Sequence, residues 1–227
     1  MTNPASAFES FPSSSHTGWS EVITDLTQIF DPDTQVSVWQ RPNPDNAIVE
    51  YVKALAHEST TGKLLCGVSR SDQAMSINAL PGRPGRQDLV DDIVSLIDIY
   101  RELLGCDAVG FRLEKQQAAM CPRFHVDRTG IRMLCTYYGP GTQWLDDRYV
   151  DRSRLGRAAM GLPDEVSGLY PPNTPIEQAG VFDVVLLKGS LWQGNHERGA
   201  IHRSPEFPTS CPQANRRLML ALDAFWD

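Results

Sequence analysis

The stretch CPRFHVDRTGIRMLCTYYGPGTQW, Cys121 to Trp144, decides how this chain is read. Its run from Arg132 to Tyr138 is rich in apolar, β-branched and aromatic residues and closes on Gly139-Pro140-Gly141, which predicts a strand ending in a tight turn. Just ahead of that strand stand His125 and Asp127. In extended backbone, residues two apart face the same way, so this pair can offer a nitrogen and an oxygen to one ion. That is half of a metal site, and the other half must come from elsewhere in the chain.

Upstream, Val36 to Trp39 reads as a strand, and Asn46 to His57 as a helix with Ile48, Val49, Val52 and Leu55 on one side. After the Pro/Gly loop Ala79 to Arg86, residues Leu89, Ile93, Leu96, Ile97, Tyr100 and Leu104 recur at helical spacing up to Gly105, a natural stop. The period then changes to alternation at Val109, Phe111 and Leu113. Further strands are expected at Val181 to Lys188, Ala200 to Arg203 and Arg217 to Phe225, with Asp146 to Pro175 a charged, Pro/Gly-rich insertion. Helices first and well-separated strands after predict an α+β, mainly β chain. The expected architecture is an antiparallel double-stranded β-helix, a cupin-like jelly roll, with N-terminal helices buttressing one sheet. Residues 1–18, rich in Ser and Pro, read as a flexible arm, and 19–227 as a single domain carrying its metal site within 110–226.

The composition narrows the partners. A formal charge of −7 and a pI near 5.2 repel a phosphate backbone, so nucleic acid is not expected. The longest purely apolar runs, such as Val184 to Leu187, fall far short of the roughly 20 residues that span a bilayer, so no membrane is expected either. Neither Lys nor Arg precedes Arg41, which leaves no basic segment for a secretory signal and makes the cytoplasm the expected location. The five cysteines, Cys66, Cys106, Cys121, Cys135 and Cys211, include no C-x-x-C pair and read as reduced thiols. The expected partner is a small-molecule or peptide substrate; oligomeric state is not readable.

The rest of a metal site is sought in GVFDVVLLKGSLWQGNHERGAIHRSPEF, where an apolar strand, a glycine turn and a second short strand deliver His202 before Arg203-Ser204-Pro205. Arg216 and Arg217 then open the last strand. The order His-x-Asp, strand with Gly-rich turn, FDVVLLKG, His-Arg-x-Pro and a final-strand Arg resembles the iron(II)/2-oxoglutarate dioxygenases over roughly Gly110 to Trp226. FHVDRTGIRMLCTYYGPGTQWL together with HRSP resembles the bacterial domain-of-unknown-function family 1826. The dioxygenase resemblance implies a hydroxylase with His125, Asp127 and His202 holding iron(II). Two imidazoles and a carboxylate on one face of the ion leave positions for the keto-acid cosubstrate and oxygen.

The resemblance further implies an arginine for the distal carboxylate of 2-oxoglutarate, which a planar guanidinium meets with two parallel hydrogen bonds. Alternation places Arg217, Met219, Ala221 and Asp223 on one face and Arg216, Leu218, Leu220 and Leu222 on the other. The leucine face should meet the helices, so Arg217 is the anchor and Arg216 the reserve. Thr136 and Tyr137 are candidate cosubstrate-pocket residues, with Arg132 and Tyr138 beside them.

His196, in a glycine-flanked turn, competes with His202 as third ligand; His16 and His57 read as surface residues, Trp144 as packing, and Trp192 as a lid or anchor. Cys121, with Cys135 and Cys211, permits an alternative, a zinc-binding or metal-handling jelly roll, since structural zinc closes its shell with four protein ligands. A metal-free binding module is the third reading.

Overall fold

The computed structural model describes residues 17–42, 44–59, 61–70, 79–207 and 215–226. In chain order the elements are β1 (Thr17–Ser20), β2 (Val36–Trp39), α1 (Asn46–Ala56), β3 (Gly62–Arg70), α2 (Arg86–Leu104), β4 (Ala108–Gln116), β5 (Ile131–Tyr138), β6 (Gln143–Leu145), β7 (Ile176–Gln178), β8 (Val184–Lys188), β9 (His202–Arg203) and β10 (Arg217–Phe225). A 3-10 helix spans Ile23–Phe30, and three short 3-10 turns, at Asp147–Tyr149, Arg152–Arg154 and Gly156–Ala159, occupy the insertion.

Seven strands form the major sheet in the order β1-β2-β8-β5-β10-β4-β3, and three form a minor sheet, β7-β6-β9. Pairing is antiparallel except between β1 and β2. The fold is therefore a sheet-dominated α+β arrangement. The first two residues of β1, Thr17 and Gly18, fall within the segment read as an arm; the remainder of that segment, including His16, lies outside the described residues.

Alternation along β10 separates two cores. Leu218, Leu220 and Leu222 join Leu89, Ile93, Leu96 and Ile97 of α2 and Val52 and Leu55 of α1 in the helix-side core. Met219 and Ala221 face the other way and pack with Trp144, Leu134, Val185 and Leu187. A leucine in the first core packs against both layers; Leu220→Ala would cost about 2–5 kcal/mol, the usual penalty for an unfilled core cavity. α2 ends where its apolar period ends: Gly105 is left-handed (φ 58°) and its N–H returns to the Arg101 carbonyl.

The turn after β5 also requires glycine. Gly139 has φ 83°, and a Cβ there would run into the Arg216 carbonyl, so this turn brings the start of β10 against the end of β5. Trp144 is fully buried between the sheets, and its indole N–H donates to Thr17 Oγ1 at 3.0 Å. Trp192 sits against Phe30, ring centroids 5.8 Å apart, anchoring its loop. No helix among the described residues is long and apolar enough to cross a membrane.

Candidate metal centre

His125 precedes β5 in a non-helical segment that pairs with β9. His125 N–H donates to the His202 carbonyl and His202 N–H to the His125 carbonyl, each at 3.0 Å, so the two histidines are locked side by side. Their ring centroids lie 4.5 Å apart. Asp127, two residues on, meets both: Oδ1 is 3.4 Å from His125 Nε2 and Oδ2 is 3.5 Å from His202 Nε2. The three potential ligand atoms all lie within 4.8 Å of one another. Among the described residues this is the group of His, Cys, Asp or Glu placed to hold an ion.

The outer nitrogens fix the rings. His125 Nδ1 faces the Arg123 carbonyl at 2.9 Å and His202 Nδ1 the Ala200 carbonyl at 3.0 Å. A carbonyl only accepts, so each Nδ1 carries the hydrogen and, in the neutral ring, each Nε2 keeps its lone pair. Two lone pairs and a carboxylate facing one another repel unless a cation lies between them. A proton or a metal ion supplies that charge. Burial alone would lower the His125 pKa, but hydrogen bonding to Asp127 and the Arg123 carbonyl raises it above its ordinary value. Burial likewise opposes ionisation of Asp127, yet His125, His202 and Arg132 hold its carboxyl well below the usual carboxylate range. The donor set of two imidazoles and one carboxylate fits a divalent first-row metal with open positions.

Arg132 is the chief support of this carboxylate. Its Nη1 donates to Asp127 Oδ2, while Nε and Nη2 donate to the two oxygens of Asp223 at 2.7 and 3.1 Å. Asp223 also accepts from Arg112 Nη1 at 3.2 Å. The chain Arg112, Asp223, Arg132, Asp127 thus runs across β4, β10 and β5 to the candidate centre. The role of Arg132 and Asp223 is not evident in the sequence; the available signal is the parity that Asp223 shares with Arg217.

A cavity of about 340 Å³ opens beside His125, Asp127 and His202, lined among others by Arg132, Leu134, Thr142, Arg217 and Met219. Arg217 is 1% exposed, and its Nη2 donates to Thr142 Oγ1 at 2.8 Å and Thr136 Oγ1 at 3.3 Å. Its Nε is buried without a partner, and no carboxylate pairs with it among the described residues. Burial pulls this guanidinium down to about 10. A buried, uncompensated cation on a cavity wall points to an anionic ligand.

Other candidates stand elsewhere. Arg216 lies at the opposite strand face, where its Nε donates to His57 Nδ1 at 3.3 Å; it does not line the cavity. Tyr137 is likewise turned away: it is buried in the helix-side core and donates to Asp92 Oδ2 at 2.6 Å. The reason is parity, since Ile131, Met133, Cys135 and Tyr137 share the helix-facing side of β5. Thr136 touches Arg217 from the opposite parity. Tyr138 pairs with His57 at 2.9 Å. His196 is exposed and outside the ligand group. Cys135 is buried on the helix side, its thiol pushed up to about 12 by burial, so it contributes nothing to a closed zinc shell at this centre. Cys121 is exposed at the cavity, and Cys211 lies outside the described residues.

A family model described as "Protein of unknown function (DUF1826)" matches residues 20–223. No curated protein matches the chain. Among solved structures, a Shewanella oneidensis protein described as a "Putative oxygenase" is similar over 92% of this chain and 88% of its own, with TM-score 0.52 and 12% identity. A Caulobacter crescentus protein described as a "putative 2OG-Fe(II) oxygenase family protein" covers 92% of this chain and 85% of its own at 14% identity and TM-score 0.48. A Pseudomonas putida prolyl-4-hydroxylase covers 91% and 97% at 11% identity and TM-score 0.43. The first similarity shows a shared fold; the two weaker ones add nothing to it.

Proposed function

We propose that this chain, which belongs to the DUF1826 family, is a non-haem iron(II), 2-oxoglutarate-dependent oxygenase built on a double-stranded β-helix. On this reading it hydroxylates a small-molecule or peptide substrate. The observation that carries the reading is the combination of two imidazoles and a carboxylate converging beside a cavity with a buried, carboxylate-free arginine.

His125, Asp127 and His202 would hold the iron. When bound, iron(II) with the keto-acid supplies the oxidising chemistry that breaks an unactivated C–H bond. The chain's own residues then orient and exclude. The Arg123 and Ala200 carbonyls set the tautomers that aim both Nε2 atoms inward. Arg132 holds one oxygen of Asp127, so the carboxylate stays ionised and directed. Arg217, steadied by Thr136 and Thr142, offers its fork to the distal carboxylate of the cosubstrate. Leu134 and Met219 give the cavity apolar walls that limit water.

The test is metal loading of anaerobically purified protein followed by 2-oxoglutarate titration. Stoichiometric iron(II) and a visible metal-to-ligand charge-transfer band are expected. Iron-loaded protein without the band removes 2-oxoglutarate from the account, and tight zinc with no iron binding supports the metal-handling alternative.

A further inference from the structure

The cavity wall contributed by β4 carries groups that the metal and cosubstrate do not use. Glu114 and Gln116 alternate with helix-facing Leu113 and Lys115, so both point into the cavity. Each is only 6% exposed. Glu114 accepts no hydrogen bond among the described residues; its nearest cation is Arg112, whose Nε stays 3.8 Å away while its Nη1 is committed to Asp223. Lys63, which is exposed and also lines the cavity, stands opposite Glu114 in the β3–β4 register without forming an ion pair with it. Gln116 Nε2 donates to Met120 Sδ at 3.0 Å, which leaves Gln116 Oε1 buried without a partner.

A carboxylate and an amide oxygen, both nearly buried and both lacking donors, are costly to keep in a cavity unless a ligand supplies N–H groups. We propose that this wall is the substrate seat and that the substrate carries a protonated alkylamine, its ammonium donating to Glu114 and a further N–H of the ligand to Gln116 Oε1. The hydrogen bonds agree. Arg132 and Arg112 donate to Asp127 and Asp223, and Glu114 is left with Arg112 at 3.8 Å and no hydrogen-bond donor among the described residues. Met219 lies opposite Glu114 in register and offers an apolar surface for the amine's carbon chain. That the carbon chain is what becomes oxidised rests on the oxygenase reading; the amine seat itself does not.

The same chemistry is presented by a free amine and by a lysine side chain in a peptide. Calorimetric titration of the full chain with n-butylammonium, n-butanol and butyrate, with and without manganese(II) and 2-oxoglutarate, tests the seat. Free L-lysinamide and an unstructured peptide with one internal lysine form two further arms that tell the sources apart. Butylammonium is expected to bind at least about tenfold more tightly than the neutral and anionic probes, as a charge-assisted hydrogen bond provides. Glu114→Gln, which keeps size and shape, should erase that preference while metal and 2-oxoglutarate binding are unchanged. Gln116→Met serves as a second variant and should weaken the amine severalfold without erasing the preference. Wild-type protein with no amine preference, or Glu114→Gln protein that is folded by thermal melt and retains it, overturns the proposal. Amine preference without 2-oxoglutarate binding would leave the seat standing and sink the oxygenase reading, and the converse result separates the two the other way.

Discussion

Exchanging Arg217 for lysine keeps a positive charge but removes the planar fork, and the structure sets the size of the loss. Arg217 uses Nη2 on Thr142 and Thr136 and has Nε buried without a partner. A lysine ammonium that satisfies the threonines has no second, parallel donor for a carboxylate. Losing one charge-assisted hydrogen bond of about 1.5–3 kcal/mol weakens 2-oxoglutarate roughly 10- to 150-fold. Burial adds to this. The same desolvation that lowers the guanidinium would lower a lysine ammonium at this position, so the defect should grow as pH rises. Arg216→Lys is the internal control. Its guanidinium is outside the cavity and makes one 3.3 Å contact with His57, so 2-oxoglutarate affinity should stay within about twofold. Anaerobic titration of both iron-loaded variants, following the charge-transfer band, decides the matter, with metal affinity measured in parallel. A selective defect in Arg216→Lys, or equal defects in both, would refute the reasoning from strand parity.

Asp127→Ala should stay folded but lose metal by more than the roughly 10–100-fold typical of groups that only support a ligand, read by metal content after desalting. Asp223→Asn removes the charge that orients Arg132, so metal affinity should fall about tenfold with the circular-dichroism spectrum unchanged. Lys188 is buried, and its pKa is lowered to about 8, first by burial and then by the Arg198 charge. Between about pH 8 and its unfolded value near 10.4 the unfolded chain binds more protons, so stability should rise with pH across that window. In Lys188→Met, urea melts at pH 8 and 10 should show this rise reduced.

How much of the fold was legible depended on how local its cause is. The two helices and strands β4, β5, β8 and β10 announce themselves because each buries one face or more and so carries its own apolar pattern. Strand β3 gives no such signal: in GKLLCGVSR a single residue, Leu65, is buried, since the strand lies at the sheet edge and a register shift between Lys63 and Leu65 breaks the alternation. β1, β6 and β7 are only three or four residues long and exist through their partners. Sheet order is set by pairings such as β2 with β8, which no window of the sequence contains.

The site divides along the same line. A shared face two residues apart and a glycine turn are local, and the structure brings His125, Asp127 and His202 together where those words stand. Parity sorted Arg217 from Arg216, but the same argument was available for β5, where Ile131, Met133 and Cys135 put Tyr137 on the core side and Thr136 on the cavity side. What no parity argument reaches is which strands become neighbours. Arg132 and Asp223 are opposite each other only because β5 pairs with β10, and Arg112 joins them only because β4 pairs on the other side. The sequence shows each of these as an isolated charge on a strand. Their support of Asp127 is created by strand order, which makes that order part of the candidate centre: a one-residue slip of β10 would take Asp223 off Arg132 and Arg217 out of the cavity in the same step.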